Sequence, residues 1–198
     1  MNLALFDFDG TITTRGMFPD FVRLAVPRRR LVLGKVLLAP LIAGYKLGLV
    51  SGSVVRAAIV RFGFSGLRLA VVETHGLHFA QSAIAPVLRP EALERINWHK
   101  SQGDTIVVVS GALDVYLRHW CNANQLALVC SSLEHRHGVL TGRYQGPQCV
   151  LDEKARRVRE AYDLSSYSCI YAYGDTREDL GLLSLAHERY YRWQQVPA

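Results

Sequence analysis

Apolar residues along this chain fall into short runs, each stopped by a polar, turn-forming pair. Leu3–Phe6 ends at an acidic turn containing Gly10, Thr105–Val109 at Ser110-Gly111, Leu126–Cys130 at Ser131-Ser132, and Ser168–Tyr173 at Gly174-Asp175. Short continuous apolar runs of this kind predict strands buried on both faces, as in a parallel sheet. Helical patterns over Pro90–Gln102, Ala112–Asn122 and Glu153–Tyr162 alternate with them. Alternating strands and helices predict an α/β fold built on a doubly wound parallel sheet. Tyr190–Trp193 reads as a last short strand, and His137–Gln145, with Gly138 and Gly142, as a β-hairpin added to the core.

Between the first and second strands lies a long insert, residues 14–85, mostly helical in pattern and broken by glycines at 34, 44, 48, 52, 63 and 66. An insert at the carboxyl edge of a parallel sheet lies over the crevice where ligands bind. The expected organisation is therefore a core of residues 1–13 and 86–198 and a helical cap of residues 14–85.

Charge sharpens this division. The 198 residues carry a net charge of +6, but from Arg15 to Val72 there are ten Lys or Arg against one acid, Asp20. The remainder is net negative and holds the acidic motifs. A basic stretch of this kind suits nucleic acid, an anionic membrane surface or a phosphorylated substrate. Its cations alternate with aliphatic rather than aromatic residues, so nucleic acid is not expected. Trp98, Trp120 and Trp193 read as packing residues. The four cysteines form no C-x-x-C pair and no metal spacing with the histidines, His135 and His137 included. This suits reduced thiols in a cytoplasmic protein. The chain opens directly on a strand, so no signal peptide is expected.

Four motifs carry chemistry. In Asp7-Phe8-Asp9-Gly10-Thr11, Asp7 is suited to attack phosphorus and form an aspartyl-phosphate. Asp9 is suited to protonate the leaving oxygen and then activate water. Ser110 and Gly111 offer a hydroxyl and backbone N–H groups to phosphate oxygens, or simply cap the following helix. Lys154, with Arg156 and Arg157 as nearby rivals, offers a fixed cation to a pentavalent phosphoryl group. Gly174-Asp175-Thr176-Arg177-Glu178-Asp179 offers carboxylates to a divalent ion, Asp175 directly and Asp179 directly or through a water. Each motif alone also fits an ordinary turn, cap or surface group. The ordered set does not, because the carboxyl ends of parallel strands bring such residues to one crevice.

This ordered set resembles the haloacid dehalogenase (HAD) superfamily over residues 1–13 and about 86–190. The resemblance implies a Rossmann-like sheet, a Mg2+ cofactor held by Asp7, the backbone carbonyl of Asp9 and Asp175, and hydrolysis through phospho-Asp7. The second aspartate, Asp9, fits the phosphatases of the superfamily and not its dehalogenases. The insert position and Leu140-Thr141-Gly142-Arg143 resemble the phosphoserine-phosphatase subfamily. There, an acidic residue nine positions after the nucleophile reads the substrate amine. Here that position is Gly16, beside Arg15, which counts against phosphoserine; Asp20 is the alternative acid. Asp7–Ile12 followed by Met17-Phe18-Pro19-Asp20-Phe21 resembles the branch that includes bacterial HAD-type phosphatidylglycerophosphate phosphatase.

Arg28-Arg29-Arg30 followed by Leu31–Val50, an acid-free stretch with only Lys35 and Lys46 charged, adds to that likeness. In one continuous helix, Arg28, Lys35 and Lys46 return to nearly one face, at ~100° per residue. Such a segment, residues 28–50, suits contact with a membrane interface, with cations reaching lipid phosphates. Pro40 is expected to kink this helix or split it in two, and a cap helix pair packed on the core is the alternative to membrane contact. The expected protein is therefore a phosphatase of the cytoplasm or the inner membrane face, acting on a phosphorylated small molecule or a phospholipid. A non-catalytic phosphate- or lipid-binding module is the competing class, but a binder needs no nucleophile.

Overall fold

The computed structural model describes residues 1–197. Five parallel strands and one antiparallel edge strand form a single sheet in the order β3-β2-β1-β6-β7-β8. The strands are β1 (Leu3–Phe6), β2 (Thr105–Leu113), β3 (Ala127–Ser131), β6 (Ile170–Gly174), β7 (Glu188–Tyr191) and β8 (Gln194–Val196). A separate hairpin, β4 (Leu133–Arg136) and β5 (Val139–Tyr144), completes the strands.

The apolar runs form strands because both faces of the sheet are covered. Leu3, Leu5, Val107, Val109, Ile170 and Ala172 share one buried cluster with Val158 of α8 (Asp152–Ala161) and with Leu182 and Leu183 of α9 (Leu180–Leu183). Ala4, Phe6, Ile106, Val108 and Tyr173 face the other way. They meet Ile96 of α6 (Pro90–Ser101) and Leu117 and Trp120 of α7 (Asp114–Ala123). Each fully buried Leu, Val or Phe contributes roughly 1.5–3 kcal/mol relative to exposure. The doubly wound α/β arrangement expected from the pattern is thus the observed one. Its winding reverses between β1 and β6, so the loops after these two strands open into one crevice.

The insert leaves and re-enters the core at one place. Thr13 bridges Leu88, the Thr14 N–H donates to the Val87 carbonyl at 2.8 Å, and the Arg89 N–H to the Ile12 carbonyl at 2.9 Å. Five helices lie between: α1 (Phe18–Ala25), α2 (Arg28–Leu37), α3 (Ala39–Lys46), α4 (Gly52–Phe64) and α5 (Leu69–Ser82). α5 is the anchor. A Cβ at Gly76 would lie 1.8 Å from the Val115 carbonyl of α7, so only glycine permits this approach. Phe21, Phe79 and Tyr116 then cluster with ring centroids 4.9–5.4 Å apart and tie α1 and α5 to the core.

Two sequence expectations are corrected, the start of one helix and the extent of the last strand, while residues 28–50 divide at Pro40 as expected. Pro40 sits in the first turn of α3, where its missing N–H is not needed, and the chain bends at Leu38. Arg28 and Lys35 therefore lie on one helix and Lys46 on the next, which breaks the single cationic stripe. The helix expected from Ala112 starts instead at Asp114, because β2 continues through Ser110-Gly111 to Leu113 with a register shift against β3. Tyr190–Trp193 is not one strand: Arg192 and Trp193, at φ 52° and 64°, form the turn between β7 and β8. Among the described residues no helix is long and apolar enough to cross a bilayer.

One buried pair fixes the start of the sheet. His99 Nδ1 lies 2.8 Å from Asp104, its Nε2 lies 2.9 Å from the Tyr173 hydroxyl, and the Asn2 N–H donates to Asp104 at 3.1 Å. Burial lowers the His99 pKa from 6.5 despite the opposing pull of Asp104. Below that unfolded-state value the unfolded chain takes up a proton that the buried ring resists, so stability falls as pH drops. Melting curves at pH 7.5 and 5.5 are expected to show a larger loss for the natural chain than for His99→Asn. An equal loss in both would show that the ring does not titrate in this way.

Candidate active site

The loop after β1 carries Asp7 and Asp9, and the loop after β6 carries Asp175 and Asp179. Ligand oxygens of Asp7, Asp175 and Asp179 all lie within 4.8 Å of one another. Gly10 makes the approach possible. It has φ 92°, and a Cβ there would lie 2.4 Å from Asp175 Oδ2. Thr11 Oγ1 donates to Asp175 Oδ1 at 3.1 Å across the same gap.

Lys154, in the first turns of α8, points into this cluster. Its Nζ donates to Asp7 Oδ1 at 2.5 Å and to Asp179 Oδ1 at 2.6 Å, and all three side chains are buried. Arg156 and Arg157, the rival cations, turn away: both reach Glu153, and Arg157 also donates to the Cys130 carbonyl. Asp179 is bound on both oxygens, because its Oδ2 accepts from the Asp175 and Thr176 N–H groups and from Thr176 Oγ1 at 2.9–3.2 Å. It orders the loop and holds the ammonium.

Asp9 stands outside the three-carboxylate cluster. Its Oδ1 accepts from the Met17 N–H at 2.8 Å, so it faces the start of the insert. Ser110 is buried at the cavity wall and its Oγ accepts from the Ala112 N–H at 3.1 Å, which leaves the hydroxyl proton to a ligand. Gly111 lines the same wall, and a Cβ there would lie 2.7 Å from Val150. The structure thus gathers Asp7, Asp9, Ser110, Gly111, Lys154 and Asp179 around one cavity of about 560 Å³. Asp175 stands beside it, bound to Thr11.

Electrostatics follow from this crowding. Burial pushes the Asp7 carboxyl up, to about 8, against the pull of Lys154. Burial likewise raises Asp9, to about 6, despite the Met17 bond, and raises Asp175. Burial by itself would lower the Lys154 pKa, but Asp7 and Asp179 outweigh it and hold the ammonium charged. Two carboxyl groups, Asp7 and Asp179, bond the ammonium with Asp9 and Asp175 nearby, and the all-oxygen donor set suits a hard divalent cation.

Several residues at the site carry no signal in the sequence. Arg56 of α4 lines the cavity, bonds Glu178 at 3.1 Å and donates to Gln148 at 3.1 Å, linking insert to core. Arg89 donates to the Gly10 carbonyl at 3.0 Å, Trp193 Nε1 to the Thr11 carbonyl at 3.3 Å, and Arg192 to the Asp175 carbonyl at 3.1 Å. These three donors brace the backbone of both acidic loops. Only spatial proximity reveals them.

Fold and site together define a hydrolase of the HAD kind. The family model of haloacid dehalogenase-like hydrolases matches residues 4–184, and the chain belongs to that family. Among curated relatives, Protein CicA of Caulobacter vibrioides is 29% identical over 197 residues, covering 96% of this chain and 85% of that protein. A protein of unknown function from Bordetella pertussis Tohama I superposes with a TM-score of 0.83 at 20% identity, over 96% of this chain and 89% of that one. A phospho-aspartyl intermediate analogue of phosphoserine phosphatase superposes with a TM-score of 0.68 at 19% identity, over 96% of this chain and 85% of that one. At such identities these two structures establish the shared fold.

Proposed function

We propose that this chain is a Mg2+-dependent phosphomonoesterase working through phospho-Asp7. The observation that carries this reading is the buried Lys154 ammonium, bonded to both Asp7 and Asp179 at the edge of the Asp7–Asp175–Asp179 cluster. A bound Mg2+, held by Asp7, Asp175 and the Asp9 carbonyl, would keep Asp7 ionised and polarise the phosphoryl oxygens. Asp7 attacks phosphorus as the ester bond breaks. Asp9, with its pKa raised toward neutrality, gives its proton to the departing alcohol oxygen. The same carboxylate then takes a proton from the water that hydrolyses phospho-Asp7. Ser110 and the Gly111 N–H bind phosphoryl oxygens, and Lys154 offsets their charge. Asp179 keeps Lys154 in place. Residues 14–85 act as the cap over the core of residues 1–13 and 86–198, and Arg56 meets the rest of the substrate.

For the substrate, the finer reading is a phospholipid head-group phosphate such as phosphatidylglycerophosphate, hydrolysed in the cytoplasm at the inner membrane face. Val32, Leu33, Val36 and Leu37 of α2, with Leu47 and Leu49 after α3, are each more than half exposed. Arg28, Arg29, Lys35 and Lys46 stand among them, and no acid occurs between Asp20 and Glu73. An apolar surface with a cationic surround suits an anionic interface. The second reading, a soluble small-molecule phosphatase, is favoured by the walled cavity and its Arg56. Phosphate release should require Mg2+ and stop with a chelator. On the lipid reading it should be faster from anionic vesicles containing phosphatidylglycerophosphate than from soluble phosphomonoesters. Preference for one soluble ester without vesicle binding would favour the second reading, and release unaffected by chelation would remove the metal from both.

A further inference from the structure

A second recess lies in the insert, next to the catalytic cavity. Its volume is about 130 Å³, and its lining contains no acid and no hydroxyl. Its two cations, Arg30 and Lys35, do not fill it. Arg30 donates to the Gly63 and Ser65 carbonyls at 3.0 and 2.6 Å, where it covers the end of α4, and Lys35 is exposed on α2.

Three helices run from the cavity into this recess. On α1, Phe18 and Pro19 face the cavity, and Val22, one turn on, faces the recess. On α3, Tyr45 faces the cavity and Ile42 the recess. On α4, Val55 faces the cavity, Phe62 the recess, and Ile59 lines both. The cap wall of the cavity therefore continues, one helical turn further from Asp7, as an apolar slot lined also by Leu31 of α2. Buried Gly34 brings α2 to within 3.1 Å of the Phe62 ring, measured from where a Cβ would stand. An apolar cavity of about 150 Å³ is enough to hold a benzene-sized guest.

We propose that this recess is a subsite for the hydrocarbon part of the substrate's leaving group. The preferred substrates are then phosphomonoesters of alcohols that carry an apolar chain beyond the oxygen bonded to phosphorus. This rests on the phosphomonoesterase reading and adds to it the side of the substrate remote from the chemistry. The polar end of the cavity takes the phosphoryl group, and the turn shared through Ile59 passes the chain to Val22, Ile42 and Phe62.

The test is a series of n-alkyl phosphates from ethyl to dodecyl, each assayed below its micelle concentration with Mg2+. Burying one methylene shifts an equilibrium roughly fourfold at best. From ethyl to octyl, kcat/KM is expected to climb at least about tenfold, mainly through KM, and then level as the slot fills. Ile42→Trp, which fills the slot, should flatten the series, whereas Leu38→Ala, which widens it, should move the plateau to longer chains. Melting curves establish that each variant is folded, and either variant suffices if the other is not. Efficient turnover of ethyl phosphate with no rise along the series overturns the subsite and leaves the phosphomonoesterase standing. A wild-type rise in both folded variants also overturns it, because the chain then binds elsewhere. No turnover of any member removes the catalytic reading and the subsite with it.

Discussion

Asp7→Asn is expected to lower kcat for phosphomonoester hydrolysis by about 10⁴-fold or more, in line with the loss of other essential nucleophiles. The substitution keeps the shape of the side chain, and its amide can still accept from Lys154. What disappears is the anionic oxygen that bonds to phosphorus. The fold should survive, because Lys154 keeps its second partner, Asp179, at 2.6 Å, and because removing one carboxylate relieves crowding among Asp7, Asp9 and Asp179. Steady-state rates with p-nitrophenyl phosphate, paired with melting curves, separate the two effects. Undiminished turnover in the folded variant would remove Asp7 from the nucleophile's role.

Lys154→Met is expected to damage stability and catalysis together. The ammonium bonds two buried carboxyl groups and is the counter-charge for Asp179, which it holds ionised, and removing one partner of a buried ion pair typically costs about 3–5 kcal/mol. Asp179 retains three loop donors, so the low end, about 3 kcal/mol, is expected in chelator. Loss of the cation opposite the phosphoryl oxygens should lower kcat by about 10²-fold or more even where the protein is folded. Lys154→Arg should rescue neither fully, since a planar guanidinium cannot take the place of a compact ammonium between Asp7 and Asp179. Denaturant midpoints and kcat measured on the same samples decide the matter. Unchanged stability would mean that the two carboxylates are neutral in the folded protein.

What the sequence made legible follows from its physics. Strands buried on both faces appear as uninterrupted apolar runs, so β1, β2, β3 and β6 could be read to within a residue or two, apart from the bulged end of β2. The crevice followed from topology, since the ends of β1 and β6 flank the reversal of winding. The sequence points to Lys154 with Arg156 and Arg157 as rivals. Lys154 is distinguished by the face of α8 that turns inward, where Ala155 and Val158 are also buried. Arg56, Arg89, Arg192 and Trp193 stayed hidden because their partners are backbone carbonyls or distant side chains, which leave no local pattern. The break between α2 and α3 was visible only as Pro40, whose effect depended on whether neighbouring helices would accept a bend.

The central claim is that Asp7 becomes phosphorylated during turnover. Acid-quenching the enzyme with substrate and Mg2+, then locating the phosphoryl group by peptide mass spectrometry after borohydride reduction, tests it directly. A modification at Asp7, absent in Asp7→Asn and trapped more strongly in Asp9→Asn, is the predicted result. Steady hydrolysis with no phosphoryl group on the protein, or with one on another residue, would contradict it.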